Sequence, residues 1–413
     1  MTKHFDVAVI GAGAVGCACA LYTQEAGLSV ALVDKSASRD KTSYGNAGVF
    51  SVTGFAPINS PSVVKNLPKL MFGKDSPLAI NWFYALTNLP WMLKFLQNCA
   101  PEKVAYMTEQ LAILSNHAAA GFMPMIKRAG AEDLLNEDGA LYIYSTKEGF
   151  DGAKAGIDER IRLGADMDIL NEAETLEMEP NLKLPIYRSL RSNENGFISS
   201  PGELVERLMA RFTKEGGVLV EQHAISCSED DDRVHVRLDD GSTFTCAKLV
   251  IAAGAHSKKI TGSGAEHLPL DTERGYHVVY HGAQDKVSRP VGWADAGFYV
   301  SPMAGGLRFA GTVELAGLNK PPSQNRIDYI ARRSKEMISG LGEPDETWLG
   351  FRPTFPDALP AIGPAPGKKN ILLAFGHQHL GLTFSGITGR VIADLVQERS
   401  PNFDVSGFSP VRF

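Results

Sequence analysis

The chain has 413 residues, of which 44% are hydrophobic and 21% charged, and its formal net charge is −6. This length exceeds what a single hydrophobic core supports and the composition is globular, so two domains are expected and a disordered or fibrous chain is excluded. The acidic balance, with no long Lys/Arg block, argues against nucleic acid as a partner.

The N-terminus runs straight into Phe5-Asp6-Val7-Ala8-Val9-Ile10, a short apolar run expected for a buried parallel strand. It offers neither a charged leader nor a cleavage site. No stretch reaches the apolar length of a transmembrane helix, so a cytoplasmic location is expected. A glycine loop follows at once, and Val15 to Ala26 reads as a helix ending at Gly27. Ser29 to Val33 reads as the next strand and closes on Asp34, completing a β-α-β unit.

Between about residues 50 and 100 the character changes. Pro57, Pro61, Pro68, Pro77 and Pro90 break the chain, and Trp82, Phe83, Trp91 and Phe95 add aromatic bulk. This segment reads as core or lid packing, with a membrane-surface contact as the other reading. A helix is expected over Met107 to Ala129, and Gly139 to Tyr144 reads as a strand of a separate antiparallel sheet. Pro201 to Gly216 has acidic residues early and basic residues late, as the helix dipole favours. Asp239-Asp240-Gly241 marks a hairpin. Lys248 to Gly254 returns to a buried parallel strand, residues 267–345 look strand-rich, and Asn370 to Phe375 with the helix after Phe384 close the first domain. The five cysteines, Cys17, Cys19, Cys99, Cys227 and Cys246, form neither a C-x-x-C pair nor a zinc-type spacing. That fits a reducing compartment, and no metal is expected.

The strongest chemical signal is Gly11-Ala12-Gly13-Ala14-Val15-Gly16 between a strand and a helix, with Asp34 ending the following strand. The first glycine allows a tight turn, the second lets the backbone approach a pyrophosphate, and the third permits close helix–strand packing. Phosphate charge would meet free N–H groups at the positive helix end. Asp34 would accept from ribose hydroxyls and repel a 2′-phosphate, with Lys35 beside it. One such fingerprint at the chain start, with a later return to the sheet through Ala252, Ala253 and Gly254, favours FAD over NAD.

These segments, together with Thr42-Ser43-Tyr44-Gly45-Asn46-Ala47-Gly48, Ala255-His256-Ser257, Gly350-Phe351-Arg352-Pro353 and Gly376-His377-Gln378-His379-Leu380-Gly381-Leu382-Thr383, resemble the D-amino-acid oxidase-like flavoenzymes. The Thr-Ser-Tyr-Gly-Asn-Ala-Gly segment is similar to the bacterial D-amino-acid dehydrogenase branch. The resemblance implies an α/β fold. A discontinuous FAD-binding Rossmann-like domain (1–55, 196–260 and 346–413) would carry an inserted α+β substrate domain (56–195 and 261–345) built on an antiparallel sheet. It further implies that Thr42 and Ser43 lie along the pyrophosphate and ribityl chain, that Asn46, Ala47 and Gly48 pass the flavin ring, and that FAD is held non-covalently.

On the same basis Arg352 would pair with a substrate carboxylate, for which a guanidinium fork is suited; an ion pair with Asp357 is the other reading of that arginine. The loop of His377, Gly381, Leu382 and Thr383 would place a helix start near the flavin, with His377 or His379 adding a hydrogen bond. Tyr276 is a candidate active-site wall or carboxylate partner, or a tyrosine packed on a sheet. The expected reaction is FAD-dependent oxidation of a D-amino acid or cyclic imino acid to a 2-oxo acid and ammonia, with electrons passed to a quinone or other acceptor. Peripheral contact with the inner face of the cell membrane stays open. A cis-4-hydroxy-D-proline dehydrogenase is the neighbouring alternative. An electron-transfer subunit of a multichain complex is the alternative of another class, and a flavin-dependent RNA-modifying enzyme would want a basic face that is missing.

Overall fold

The computed structural model describes residues 3–61, 63, 64 and 76–413. Pro68 and the side chain of Trp82 lie outside the described residues.

Among the described residues the N-terminal strand His4–Ile10 is central to an eight-stranded sheet. Val218–Val220, Val30–Val33, His4–Ile10, Thr243–Ile251 and Ile371–Phe375 run parallel in that order. Apart from Val218–Val220 at the edge, which is half-buried, these strands bury most of their apolar side chains on both faces, the condition a parallel sheet requires. Thr243–Ile251 is one nine-residue strand where two short strands were expected. Its first half pairs antiparallel with Val234–Leu238 and its second half runs in the parallel sheet, because no breaker interrupts Cys246-Ala247-Lys248.

Three helices stack on one face of this sheet through glycine contacts. A Cβ on Gly389 of helix Ser385–Val396 would meet the Ala18 carbonyl oxygen of helix Ala14–Glu25 at 2.7 Å. A Cβ on Gly121 of helix Pro101–Ala129 would meet the Ile387 nitrogen at 2.3 Å. Only residues without side chains let these backbones touch. Helix Pro101–Ala129 therefore shares the nucleotide domain's core, although the sequence assigned residues 56–195 to the substrate domain.

A second, nine-stranded sheet lies beside the first. Most of its pairings are antiparallel, as expected, but Val291–Trp293 runs parallel to Ala140–Tyr144 and Gly306–Leu315 parallel to Leu78–Ile80. Glu346–Thr354, assigned from sequence to the nucleotide domain, is an edge strand of this sheet, in unbroken register with Asp271–Tyr280. This edge carries Arg352. The proline-rich segment supplies short helices, Trp82–Thr87 and Leu89–Gln97. Trp91 is buried and stacks on Phe95, whereas Phe83 and Leu86 are exposed. Tyr84 and Asn88 fasten this segment to the Asp271 carboxylate.

Candidate active site

A cavity of about 520 Å³ opens at the carboxyl ends of the parallel strands, where open α/β sheets bind ligands. Gly11 has φ +103°, and a Cβ there would stand 2.6 Å from the Ala252 carbonyl oxygen. A Cβ on Gly16 would overlap the Gly11 carbonyl oxygen at 1.7 Å, so Gly16 sets strand–helix packing and is absent from the cavity wall. Gly13, Ala14 and Val15 do line the wall, with Asp34, Thr42, Ser43, Asn46, Ala253 and Gly254. The Asp34 carboxylate accepts from the Ala12 and Ser36 N–H groups, each at 2.7 Å, which fixes it at the strand end with lone pairs to spare.

Lys35 does not reach this cavity. Its ammonium is exposed and pairs with Asp239 at 3.3 Å, because the side chain after Asp34 leaves the strand on the opposite side.

The Thr42–Gly48 loop is held from both sides. Ser43 Oγ accepts from the Ala14 N–H at 3.0 Å and Thr42 Oγ1 donates to the Phe351 carbonyl at 2.9 Å. Arg308, from the second sheet, donates to the Tyr44 and Asn46 carbonyls at 3.1 and 2.9 Å. Burial lowers the Arg308 pKa to about 10, and the guanidinium still carries its charge at neutral pH. Ser301 Oγ donates to the Ala47 carbonyl at 2.7 Å. Ala47 and Gly48 stand behind the cavity wall, and Thr383 Oγ1 is turned away to accept from the Ser51 N–H at 3.0 Å. Neither Arg308 nor Ser301 carried a motif in the sequence; a buried arginine becomes visible only once two distant strands are brought together.

The closing loop contributes His377, Gln378, Gly381 and Leu382 to the wall. His377 is buried and hydrogen-bonded to Thr388 Oγ1 at 2.9 Å; desolvation lowers its pKa to about 3, so it is a neutral ring. Gln378 has φ +51° and is 6% exposed, and its amide nitrogen has no partner in the protein. A buried amide without a protein partner, on a strained backbone at a cavity wall, is suited to donate to a ligand's acceptor atom.

Arg352 reaches from the edge strand across the face of Asp271–Tyr280. It donates to the Thr312 carbonyl at 2.8 Å and approaches the Gly311 carbonyl at 3.4 Å. It crosses the backbone at Gly275, where a Cβ would collide with the guanidinium. Asp357 is paired instead with Arg412 at 2.7 Å, so the Asp357 reading of Arg352 is set aside. Glu273 stands directly opposite Arg352 in the ladder and on the same face. Its carboxyl is buried, and desolvation raises its pKa to about 7 against the lowering effect of Arg352. His379 is an exposed residue close to Arg352, and desolvation followed by the Arg352 charge lowers its pKa.

Tyr276 is the clear correction. It lies three residues beyond Glu273 on the same ladder and therefore faces the other side of the sheet. It is 1% exposed, donates to Glu314 at 2.5 Å and accepts from the Ser323 N–H at 3.0 Å. Arg274, beside it, pairs with the same Glu314 at 3.2 Å. This is a structural network, not a substrate wall.

Residues 6–395 match the family described as DAO, FAD dependent oxidoreductase. The chain belongs to that family. Proteins similar to it include a D-amino-acid oxidase of Bradyrhizobium diazoefficiens, 32% identical over the whole of both chains. A D-amino acid dehydrogenase of Paramagnetospirillum magneticum is 29% identical over 98% of each. Among solved structures, glycine oxidase from Geobacillus kaustophilus shares the fold, with a TM-score of 0.75 and 22% identity over all of both chains. The cavity suits the family's FAD: the glycine turn through Gly11 and Gly13 on its wall, a carboxylate at the second strand end, Ser43 at the helix start, and the unpaired Gln378 amide. This DAO-family chain is thus an FAD-dependent oxidoreductase, with the cavity at the ends of the parallel strands and Arg352 on the edge strand of the second sheet.

Proposed function

We propose that the enzyme oxidises the Cα–N bond of D-amino acids, giving an imine that water hydrolyses to a 2-oxo acid and ammonia, with the electrons passed on to a quinone or other acceptor. The observation that carries this reading is Arg352. One edge of its guanidinium is held by backbone carbonyls, which leaves charge and donors for a ligand carboxylate. The names of the relatives, D-amino-acid oxidase and D-amino acid dehydrogenase, agree with it.

When bound, FAD supplies the hydride acceptor, and the chain's residues do the positioning. Arg352 anchors the carboxylate and so fixes where Cα stands. His379, neutral near pH 7, leaves Arg352 as the positive charge that selects the carboxylate. Glu273, with its carboxyl raised to about 7, moves toward its neutral form as a substrate carboxylate enters, and so yields Arg352 to the ligand. The exposed Phe83, Leu86, Leu89 and Leu93 offer an apolar patch for peripheral membrane contact, which vesicle co-flotation would reveal. No helix among the described residues is long and apolar enough to cross a membrane.

The test is an anaerobic panel of D-amino acids, D-proline and hydroxy-D-proline against purified holoenzyme. Flavin bleaching by a D-amino acid is expected, followed by recovery on adding air or a quinone analogue. Absence of bleaching by every member of the panel overturns the proposal.

A further inference from the structure

The strand Gly306–Leu315 does not run evenly beside Asp271–Tyr280. Arg274 stands opposite Glu314 and Tyr276 opposite Gly311, so Thr312 and Val313 together face the single residue Gly275. Two residues against one make a β-bulge, and Thr312, the first of the two, has φ +57°. Glycine is the residue suited to a left-handed bulge position, and a β-branched side chain is costly there. The Thr312 hydroxyl is buried and has no partner in the protein, so its own hydrogen bonding does not explain the conformation. The surroundings impose it. The preceding residue is held just as closely, since a Cβ on Gly311 would stand 2.4 Å from the Gly297 carbonyl oxygen.

The bulge decides where two carbonyls point. In a regular strand successive N–H groups face opposite neighbours, and so do successive carbonyls. Here the Thr312 N–H donates to the Gly297 carbonyl at 2.8 Å, and the next N–H, of Val313, donates to the Pro77 carbonyl at 2.9 Å. Gly297 and Pro77 lead into Phe298–Met303 and Leu78–Ile80, the strands on the side away from Asp271–Tyr280. A planar trans peptide points its carbonyl opposite to its N–H. The Gly311 and Thr312 carbonyls therefore both turn back toward Gly275. Arg352 meets them there, with Nη1 2.8 Å from the Thr312 oxygen and Nη2 3.4 Å from the Gly311 oxygen. One residue in a costly backbone conformation thus gives the guanidinium a two-pronged seat over a position that has no side chain.

We infer that Thr312 is a positioning residue for Arg352: its left-handed backbone builds the pair of carbonyls that fixes the plane of the guanidinium. A guanidinium held at two points keeps its remaining N–H groups aligned, as a fork for the two oxygens of a carboxylate. Setting that plane before the ligand arrives removes an ordering cost from binding. The inference rests on the proposed carboxylate role of Arg352. It also separates Thr312 from a residue that only stabilises the sheet, because a lysine at position 352 is a point charge with no plane to fix.

The test is a double-variant cycle on the holoenzyme, read by steady-state kinetics with a D-amino acid and by flavin difference spectra with propionate. Deleting Thr312 makes the two strands match step for step between Arg274 and Tyr276. The deletion is expected to raise KM and the propionate Kd at least about tenfold, with FAD absorbance retained. Thr312→Gly, which takes the left-handed backbone without a Cβ, is expected to recover both to within about threefold of wild type. In an Arg352→Lys background the deletion is expected to cost less than about twofold more, because the two changes remove the same contact. A deletion penalty of equal size in both backgrounds would make Thr312 structural only and overturn the inference, as would failure of glycine to recover binding. Should the deletion variant not retain FAD, Gly311→Ala takes its place, since the added Cβ forces the same carbonyls off their seat beside Gly297. Propionate binding indifferent to Arg352→Lys would overturn the carboxylate role of Arg352 and this inference with it. Propionate binding that depends on Thr312 through Arg352, without bleaching by any D-amino acid, would overturn the substrate reading and keep the seat.

Discussion

The guanidinium of Arg352 lies across the backbone of Gly275, with Nη2 only 2.3 Å from where a Cβ would be. Neither residue's role is complete without the other: the arginine belongs to an edge strand, and it reaches the third strand's carbonyls because the strand between them has no side chain at that point. Gly275→Ala should therefore lower kcat/KM for the amino acid about 100-fold, chiefly through KM, because it displaces a carboxylate anchor worth a charge-assisted, two-pronged contact. FAD absorbance should be retained. Arg352→Lys should give a loss of similar size; steady-state kinetics beside flavin spectra decide both.

Tyr276 gives the opposite expectation. Its hydroxyl joins Glu314 and Ser323 on the far face of the sheet. Tyr276→Phe should leave kcat/KM within about threefold and lower unfolding free energy by about 1–3 kcal/mol, since the buried Glu314 carboxyl loses a donor. A large kinetic loss with unchanged thermal stability would restore Tyr276 to the active site.

Glu273 predicts a pH signature. Its folded pKa of about 7 lies above its ordinary value of 4.5, so the folded state holds the proton more tightly. Its contribution is fully present below pH 4.5 and is lost as pH rises through 7, by roughly 3 kcal/mol at most. Glu273→Gln removes this titration, so the Tm advantage of the variant over wild type should be larger at pH 8 than at pH 5. The buried neutral rings His277 and His377, both lowered to about 3, work with the opposite sign, losing stability as pH falls below 6.5. They are common to both proteins and cancel in the difference. An equal offset at the two pH values would contradict the assignment.

Gln378 couples strain to the cofactor. Its left-handed backbone costs about 1 kcal/mol for a residue with a Cβ, and its amide nitrogen waits for a partner. Gln378→Gly should raise the Tm of the FAD-free protein while weakening FAD binding about tenfold. Isothermal titration of FAD and thermal melts of the stripped protein give the two numbers, and tighter FAD binding in the variant would refute the role.

The nucleotide half was legible because its signals are local. Gly11, Gly13, Gly16 and Asp34 fall within one β-α-β unit, where backbone turn, helix start and strand end are set by residues near in sequence. Lys35 misled for the same reason: proximity to Asp34 in sequence says nothing about which side of the strand end it leaves from. Arg352 was found through its motif, but that motif does not reveal Gly275, which lies 77 positions earlier and meets it only through strand pairing. Tyr276 was misplaced because a one-residue step in a strand changes the face, and the face toward the site is set by which strands flank it.

The sequence by itself determined that this chain binds a dinucleotide in a parallel sheet, and its motifs pointed to FAD, because glycine conformations and the alternation of apolar runs need no distant partner. Only the tertiary structure decided which groups surround Arg352, that Arg308 clamps the Thr42–Gly48 loop, and that Gln378 lacks a partner. Those depend on long-range register and on burial, and burial is a property of the assembled protein rather than of any segment of it.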